Sequence, residues 1–112
     1  MKYSIILLIL IFNSCIKIDC EASAEIARKQ ECLLIFEKLP AFSSYKLDAI
    51  GKHLITKKDC TCSDENRWWV NYSEYLEKGD TIIKKNGELI FSIHKKDTIL
   101  KFPWECEGKI YN

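Results

Sequence analysis

Six cysteines are the residues of this 112-residue chain that most clearly indicate chemistry. A small domain with several cysteines forms disulfides in an oxidising compartment. Cys60 and Cys62 flank a single residue, so the geometry of a disulfide disfavours a bond between them. We therefore expect each of them to bond to Cys32 or Cys106, which gives two structural disulfides. Cys20, close to the N-terminus, is expected to be the unpaired cysteine of the domain.

A metal site is the alternative use of the same thiols. Cys60 and Cys62, together with Cys106, His53 or His94, could ligate Zn²⁺ or Cu⁺. A C-x-C pair is a weak signature, and no C-x-x-C pair is present. Disulfides are therefore the first interpretation, and neither a metal nor another cofactor is predicted.

No residue pattern in the chain predicts catalysis. Neither His53 nor His94 adjoins a serine or cysteine in a nucleophile motif. Asp59, Asp64 and Glu65 lie near the C-x-C pair but lack the alternating spacing of an EF-hand loop. We expect a protein that is not an enzyme.

Two groups of residues are candidates for binding another protein. Trp68 and Trp69 are adjacent, and two adjacent side chains of a helix cannot both face one core, so at least one should be exposed. Lys84 and Lys85 lie in a predicted hairpin that also carries Lys95, Lys96 and Lys101. Such a hairpin suits an acidic partner, although lysines on exposed strands also prevent edge-to-edge aggregation.

The N-terminus has the pattern of an export signal. Lys2 precedes an unbroken apolar run from Ile5 to Phe12, IILLILIF. The run is shorter than the roughly 20 residues that a membrane-spanning helix needs. A positive start and a short apolar segment predict a signal peptide over residues 1–14.

The residues that follow the run, Phe12-Asn13-Ser14-Cys15, resemble the lipobox of bacterial lipoproteins. Phe12 stands where leucine is usual, and Asn13 stands at a position that prefers a small residue. The resemblance implies that Cys15 takes a diacylglyceryl group and becomes the mature N-terminus. The domain would then be held by its lipid on a membrane of the cell envelope, facing the periplasm or the cell surface. The alternative is ordinary cleavage near Ala22-Ser23-Ala24, which gives a secreted protein.

The charge balance excludes one class of partner. The chain has 17 basic and 16 acidic side chains, and cleavage after residue 14 removes only Lys2 among them. A neutral domain lacks the basic face that phosphate binding needs, so nucleic acid is not expected as a partner.

Hydrophobic periodicity predicts helices first and strands afterwards. Helices are expected over residues 22–39, from Ser43 or Ser44 to Leu54, and from an N-cap at Ser63 to Gly79. Strands are expected over residues 81–85, 88–93 and 98–104, with Asn86-Gly87 as a hairpin turn, and a short last strand over residues 109–111.

These elements predict an α+β fold, with two or three N-terminal helices packed on a C-terminal antiparallel meander of three to four strands. Residues 15–21 would be a tether, and residues 22–112 a single domain. The function expected is that of an envelope protein that binds a protein partner, such as an inhibitor or an immunity-type lipoprotein. Trp68, Trp69, Lys84 and Lys85 would form the recognition surface.

Overall fold

The computed structural model describes residues 19–40, 47–64 and 67–112, and these ranges are mostly β. Six strands form one antiparallel sheet in the order β3-β2-β1-β4-β5-β6. They are β1 (Cys32–Lys38), β2 (Asp48–His53), β3 (Asp59–Ser63), β4 (Thr81–Lys84), β5 (Ile90–His94) and β6 (Ile99–Pro103). Two short strands, β7 (Glu105–Cys106) and β8 (Lys109–Ile110), pair separately. The helices of these ranges are α1 (Cys20–Lys29) and a 3₁₀ helix (Trp69–Tyr75).

The predicted α+β fold, with two or three helices packed on a meander of three to four strands, is wrong, because the described ranges are mostly β and contain a six-stranded antiparallel sheet. The error arises in the N-terminal half. The helix expected over residues 22–39 ends at Lys29, and β1 follows it. The helix expected up to Leu54 is replaced by β2, and its predicted start at Ser43 or Ser44 lies outside the described residues. The physical reason is visible in β1, where a continuous apolar run fits helical and strand periodicity equally well. Pairing with β2 and β4 decides for the strand.

The third expected helix is a short 3₁₀ segment. β3 continues through Ser63, the residue predicted as its N-cap. The buried carboxylate of Asp64 instead accepts the backbone N–H of Trp69 at 2.7 Å and so begins the segment. Gly79 lies beyond its end with a φ of +96°, a conformation that favours glycine.

The C-terminal strands lie within two residues of their predicted positions. β4 and β5 are joined by residues 85–89, which is longer than a two-residue hairpin loop. Gly87 has a φ of +88° and donates its N–H to the Arg28 carbonyl at 2.7 Å. The Asn-Gly pair therefore marks the turn correctly, but the turn also binds the end of α1.

Helix α1 begins inside the stretch predicted as a tether. The Asp19 carboxylate caps it by accepting the N–H of Ala22 at 3.1 Å. Its buried residues are Ala24 and Ala27. Small side chains on the inner surface of a helix allow it to lie close to the residues beneath it.

One face of the sheet carries the core, and we call it the inner face. Cross-strand pairs such as Leu34–Ile82 and Ile82–Ile93 place buried side chains on it. The 3₁₀ helix covers its β5–β6 end, where Tyr72 stacks on Phe102 with 3.9 Å between ring centroids.

The β2–β3 hairpin curls over this inner face. In the register of the sheet Cys62 lies opposite Ala49, several residues along the strands from Cys32. A disulfide nevertheless joins Cys62 to Cys32, with 5.7 Å between their Cα atoms. The register of β1 and β2 shifts between Phe36 and Lys38, opposite Gly51 and Ile50. Irregular pairing opposite a glycine is a common way to bend a sheet.

Candidate functional site

The cysteines are paired differently from the expectation. Cys32 bonds to Cys62, one of the pairings that the sequence left open, and Cys106 bonds to Cys20. Among the cysteines in the described ranges, Cys60 is the free one. The prediction that Cys20 is unpaired and Cys60 bonded is therefore corrected. The reason is that α1 places Cys20 beside β7. Cys15, the predicted lipid acceptor, lies outside the described residues.

The two disulfides fit an oxidising compartment outside the cytoplasm. In residues 19–40, 47–64 and 67–112, no helix has the length and apolar character needed to cross a bilayer.

The ligand set of the metal alternative is not assembled. The sulfur atoms of Cys62 and Cys106 are used in separate disulfides. Over the described ranges, no group of three or more histidine, cysteine or acidic side chains has the arrangement of a metal site. His53 has a local structural role, since its Nδ1 accepts the N–H groups of Ile55 and Thr56 at 3.1 and 3.3 Å.

Trp68 and Trp69 are both buried, with exposed fractions of 5% and 1%. Their ring centroids lie 6.3 and 5.5 Å from that of Phe91, so both indoles pack around one side chain of β5. The expectation that at least one indole is exposed assumed an α-helix over this segment. These two residues belong to the core, which corrects the prediction that they form part of a recognition surface.

Lys84 is fully buried rather than displayed on the hairpin. Its register partner on β1 is the buried Cys32, which places it on the inner face. The ammonium group donates to the carbonyl oxygens of Arg28, Gln30 and Lys85 at 3.0, 2.7 and 2.9 Å. Burial lowers the pKa of Lys84 to about 8. Its role is to bind the C-terminal end of α1, where a positive charge also complements the helix dipole.

The remaining lysines of the two hairpins differ in their partners. Lys95 forms an ion pair with Asp80 at 2.5 Å, and its Nζ lies 3.5 Å from Glu77. Lys85 and Lys101 are exposed and have no ion-pair partner within the described ranges. Of the two lysines predicted to contact a partner, therefore, Lys85 is exposed and Lys84 is buried.

These free lysines border a groove on the opposite, outer face of the sheet. The groove has a volume of about 260 Å³ and crosses β4, β5 and β6. Its lining includes Ile83, Lys85, Glu88, Ile90, Ile99 and Lys101, and we call it the outer groove. Ile90 and Ile99 have exposed fractions of 39% and 51%, which is high for isoleucine.

The outer face continues as an apolar surface beyond the groove. Leu33 is paired with Ile83 across β1 and β4, and Ile35 lies two residues further along β1 on the same face. These side chains are half-buried. Sequence reasoning missed Ile90 and Ile99, although the alternation of each strand placed them on the same side as Lys101. The strand pattern does not show which face of the sheet is covered by the rest of the protein and which is exposed to solvent.

No protein-family model, curated protein or solved structure matches this chain. The geometry of the molecule therefore carries the functional argument by itself.

The disulfide assignment gives a first testable prediction. A Cys32→Ser/Cys62→Ser double variant should lose about 2–4 kcal/mol of unfolding free energy, because the bond constrains a long loop of the unfolded chain. The double change is needed since Cys60 could otherwise replace Cys62. Urea unfolding followed by tryptophan fluorescence measures the loss. Cys60→Ser is the matched control, and an equal loss in this control would refute the assignment.

Proposed function

We propose that this chain is an exported, non-enzymatic protein that binds an acidic protein partner through the outer groove. The observation that carries the proposal is a strip of exposed isoleucines flanked by two lysines without ion-pair partners in the described ranges. A surface of this kind combines the apolar centre and polar rim of a protein interface.

The apolar part of the groove would supply the attraction. Ile90 and Ile99 keep much of their surface in water, and burying it against a partner is favourable by about 25 cal/mol per Å². Scattered single apolar residues are normal on protein surfaces, whereas apolar side chains that line one concavity mark interaction sites. The groove lies on a regular sheet, so a partner would meet an already ordered surface.

The charges would supply orientation and specificity. Lys85 and Lys101 stand at the groove with only Glu88 as an acidic neighbour in its lining. An acidic partner would therefore approach with complementary charge, which raises the association rate and excludes basic competitors. The binding should weaken as salt increases, because the lysines are exposed to the solvent.

The proposed location and type of partner rest on features outside the groove. Two disulfides support an oxidising location. The lipid anchor at Cys15 rests on the lipobox resemblance of Phe12-Asn13-Ser14-Cys15. A small anchored domain with an open binding face fits an inhibitor or immunity-type protein that guards the envelope against a toxin or hydrolase.

The test is a charge reversal at the groove. A partner captured from cell-envelope extract by the full chain is identified, purified and titrated against three proteins: wild type, Lys85→Glu/Lys101→Glu and Lys58→Glu. We expect the double variant to bind at least about tenfold more weakly than wild type, because like charges oppose each other across the interface. Lys58→Glu changes an exposed lysine elsewhere and should bind like wild type.

Two results would contradict the proposal. In the first, the double variant keeps the wild-type Kd, which would place the partner on another surface. In the second, sedimentation shows that wild type, but not the Ile99→Asp variant, self-associates in the same concentration range. That result would assign the outer groove to a second copy of this chain.

A further inference from the structure

Strand β6 lies at one edge of the six-stranded sheet, so one side of its backbone has no neighbouring strand among the described residues. Its pairing with β5 shows which backbone groups lie on that side. In an antiparallel pair, hydrogen-bonded residue pairs alternate with pairs that are not bonded to each other. The N–H of Lys95 donates to the Thr98 carbonyl at 2.8 Å. At the other end of the strand, the N–H of Trp104 donates to the Leu89 carbonyl at 2.9 Å.

The register between these two bonded pairs is continuous, so the alternation is fixed along the whole of β6. The residues that bond on the β5 side are Thr98, Leu100, Phe102 and Trp104. Ile99 and Lys101 therefore direct their backbone N–H and C=O groups to the open edge. Pro103 follows with a carbonyl but no N–H, so it ends the row of donors. Unpaired groups of this kind are a template for pairing with another chain.

Exposed side chains flank these free backbone groups on both faces of the sheet. On the outer face, Ile99 is 51% exposed, and it lines the outer groove together with Lys101. On the inner face, Tyr75 stacks on Phe102 with 5.4 Å between ring centroids and remains 43% exposed. Successive side chains of a strand point to opposite faces. A strand added to β6 would therefore bury apolar surface on each face.

The opposite edge of the sheet does not combine these features. Strand β3 carries Asp59, Thr61 and Ser63 as its exposed residues, which offer a carboxylate and two hydroxyl groups but no large apolar side chain. An acidic segment would meet a like charge at β3, whereas at β6 it would meet the ammonium group of Lys101. Of the two edges, β6 therefore suits an acidic partner.

We propose that the acidic partner docks by strand addition, with an extended segment that pairs with β6 in the antiparallel orientation and continues the sheet. This mode of binding rests on the function proposed above, because it assumes the same partner and the same surface. The residue of the segment opposite Lys101 would be acidic, and the residue opposite Ile99 would be apolar. The residues opposite Leu100 and Phe102 would also be apolar, since they would lie beside Tyr75.

The probe for this pairing is the peptide acetyl-Val-Glu-Val-Ile-Thr-amide. Its glutamate would lie opposite Lys101, and its isoleucine would lie opposite Ile99. The peptide is titrated into the whole exported chain while the backbone amide signals are followed in a ¹H–¹⁵N correlation spectrum. We expect the signals of Ile99 and Lys101 to shift in a saturable manner, while the signal of Thr61 on the other edge strand stays in place.

Two N-methylated peptides separate backbone pairing from side-chain contact. A methyl group on the isoleucine nitrogen removes the N–H that would donate to the Ile99 carbonyl, and it places bulk against β6. Binding of this peptide should be at least about tenfold weaker. A methyl group on the nitrogen of the central valine is the matched control, because this N–H points away from β6 in the alternation. The control peptide should bind like the unmodified probe.

Equal binding of the two methylated peptides would overturn strand addition, since side chains alone would then make the contact. The absence of a saturable shift at Ile99 and Lys101 would overturn it as well. In both cases the charge-reversal test with the captured partner keeps its meaning, so the outer groove can remain the binding surface. If the probe binds as expected but Lys85→Glu/Lys101→Glu keeps the wild-type Kd for the captured partner, the proposed function fails, and strand addition by that partner fails with it.

Discussion

Replacing Gly51 with alanine should destabilise the protein by about 3 kcal/mol or more, which is a large fraction of the stability of a small domain. A Cβ atom at this position would lie 1.9 Å from the carbonyl oxygen of Ile35 and 2.9 Å from its carbonyl carbon. These are backbone atoms of the neighbouring strand, so no rotamer change can relieve the overlap. Chemical unfolding monitored by tryptophan fluorescence measures the effect.

Gly79→Ala is the control for the Gly51 prediction. Gly79 has a positive φ of +96°, but nothing lies within 4 Å of a Cβ atom placed there. Its substitution reports backbone strain alone and should cost about 1 kcal/mol. If Gly51→Ala lowers the unfolding free energy no more than Gly79→Ala does, the backbone of β2 does not approach the Ile35 carbonyl group as closely as described.

Replacing Lys84 with methionine should cost about 2 kcal/mol of unfolding free energy at neutral pH. Methionine fills much of the same space but cannot donate, so the carbonyl groups of Arg28, Gln30 and Lys85 lose their common donor. The Arg28 and Lys85 carbonyls keep the backbone N–H groups of Gly87 and Glu88 as donors. The main cost is therefore the buried Gln30 carbonyl, which is unfavourable by about 1–3 kcal/mol when unsatisfied, partly offset by the removal of a buried charge. The exposed neighbour supplies the control, because Lys85→Met should change stability by less than about 0.5 kcal/mol.

The pKa of Lys84 adds a pH dependence to the same comparison. The folded protein releases this proton near pH 8, whereas the unfolded chain keeps it up to the ordinary lysine pKa of 10.5. Unfolding therefore takes up a proton between these values, and the contribution of Lys84 to stability rises with pH in this window. The difference between wild type and Lys84→Met should grow by up to about 1.4 kcal/mol per pH unit there.

The pH series is best measured in a Cys60→Ser background, because a thiolate at alkaline pH would exchange with the disulfides. A difference that stays constant from pH 7 to pH 10.5 would show that the Lys84 amine titrates at its ordinary pKa. If the stability difference between wild type and Lys84→Met falls as the pH rises, the hydrogen bonds to the three carbonyls raise the pKa of Lys84. Burial would then not be the dominant effect on this pKa.

The sequence predicts the C-terminal half of the fold better than the N-terminal half. The strands from Thr81 to Pro103 are short segments rich in isoleucine and phenylalanine and are separated by turn residues, so their local pattern identifies them. The run from Cys32 to Phe36 is apolar at every position. Such a run is buried as a helix or as a central strand, and only its neighbours β2 and β4 distinguish the two.

The functional roles of the candidate site residues were also not predictable from local sequence patterns. The sequence indicates that lysines and tryptophans are concentrated in the second half of the chain, but Lys84 and Lys85 look equivalent there. In the structure one amine lies against the end of α1 and the other lines the outer groove.

By itself, the sequence determined that the domain is small, close to neutral in charge and disulfide-bonded, and where its last strands lie. Only the tertiary structure decided which cysteines pair, which lysine is buried and which sheet face is open. The physical reason is the range of the interactions involved. Strand alternation and turn residues act between near neighbours in the chain, whereas the partners of Cys20 and Lys84 lie 86 and more than 50 residues away.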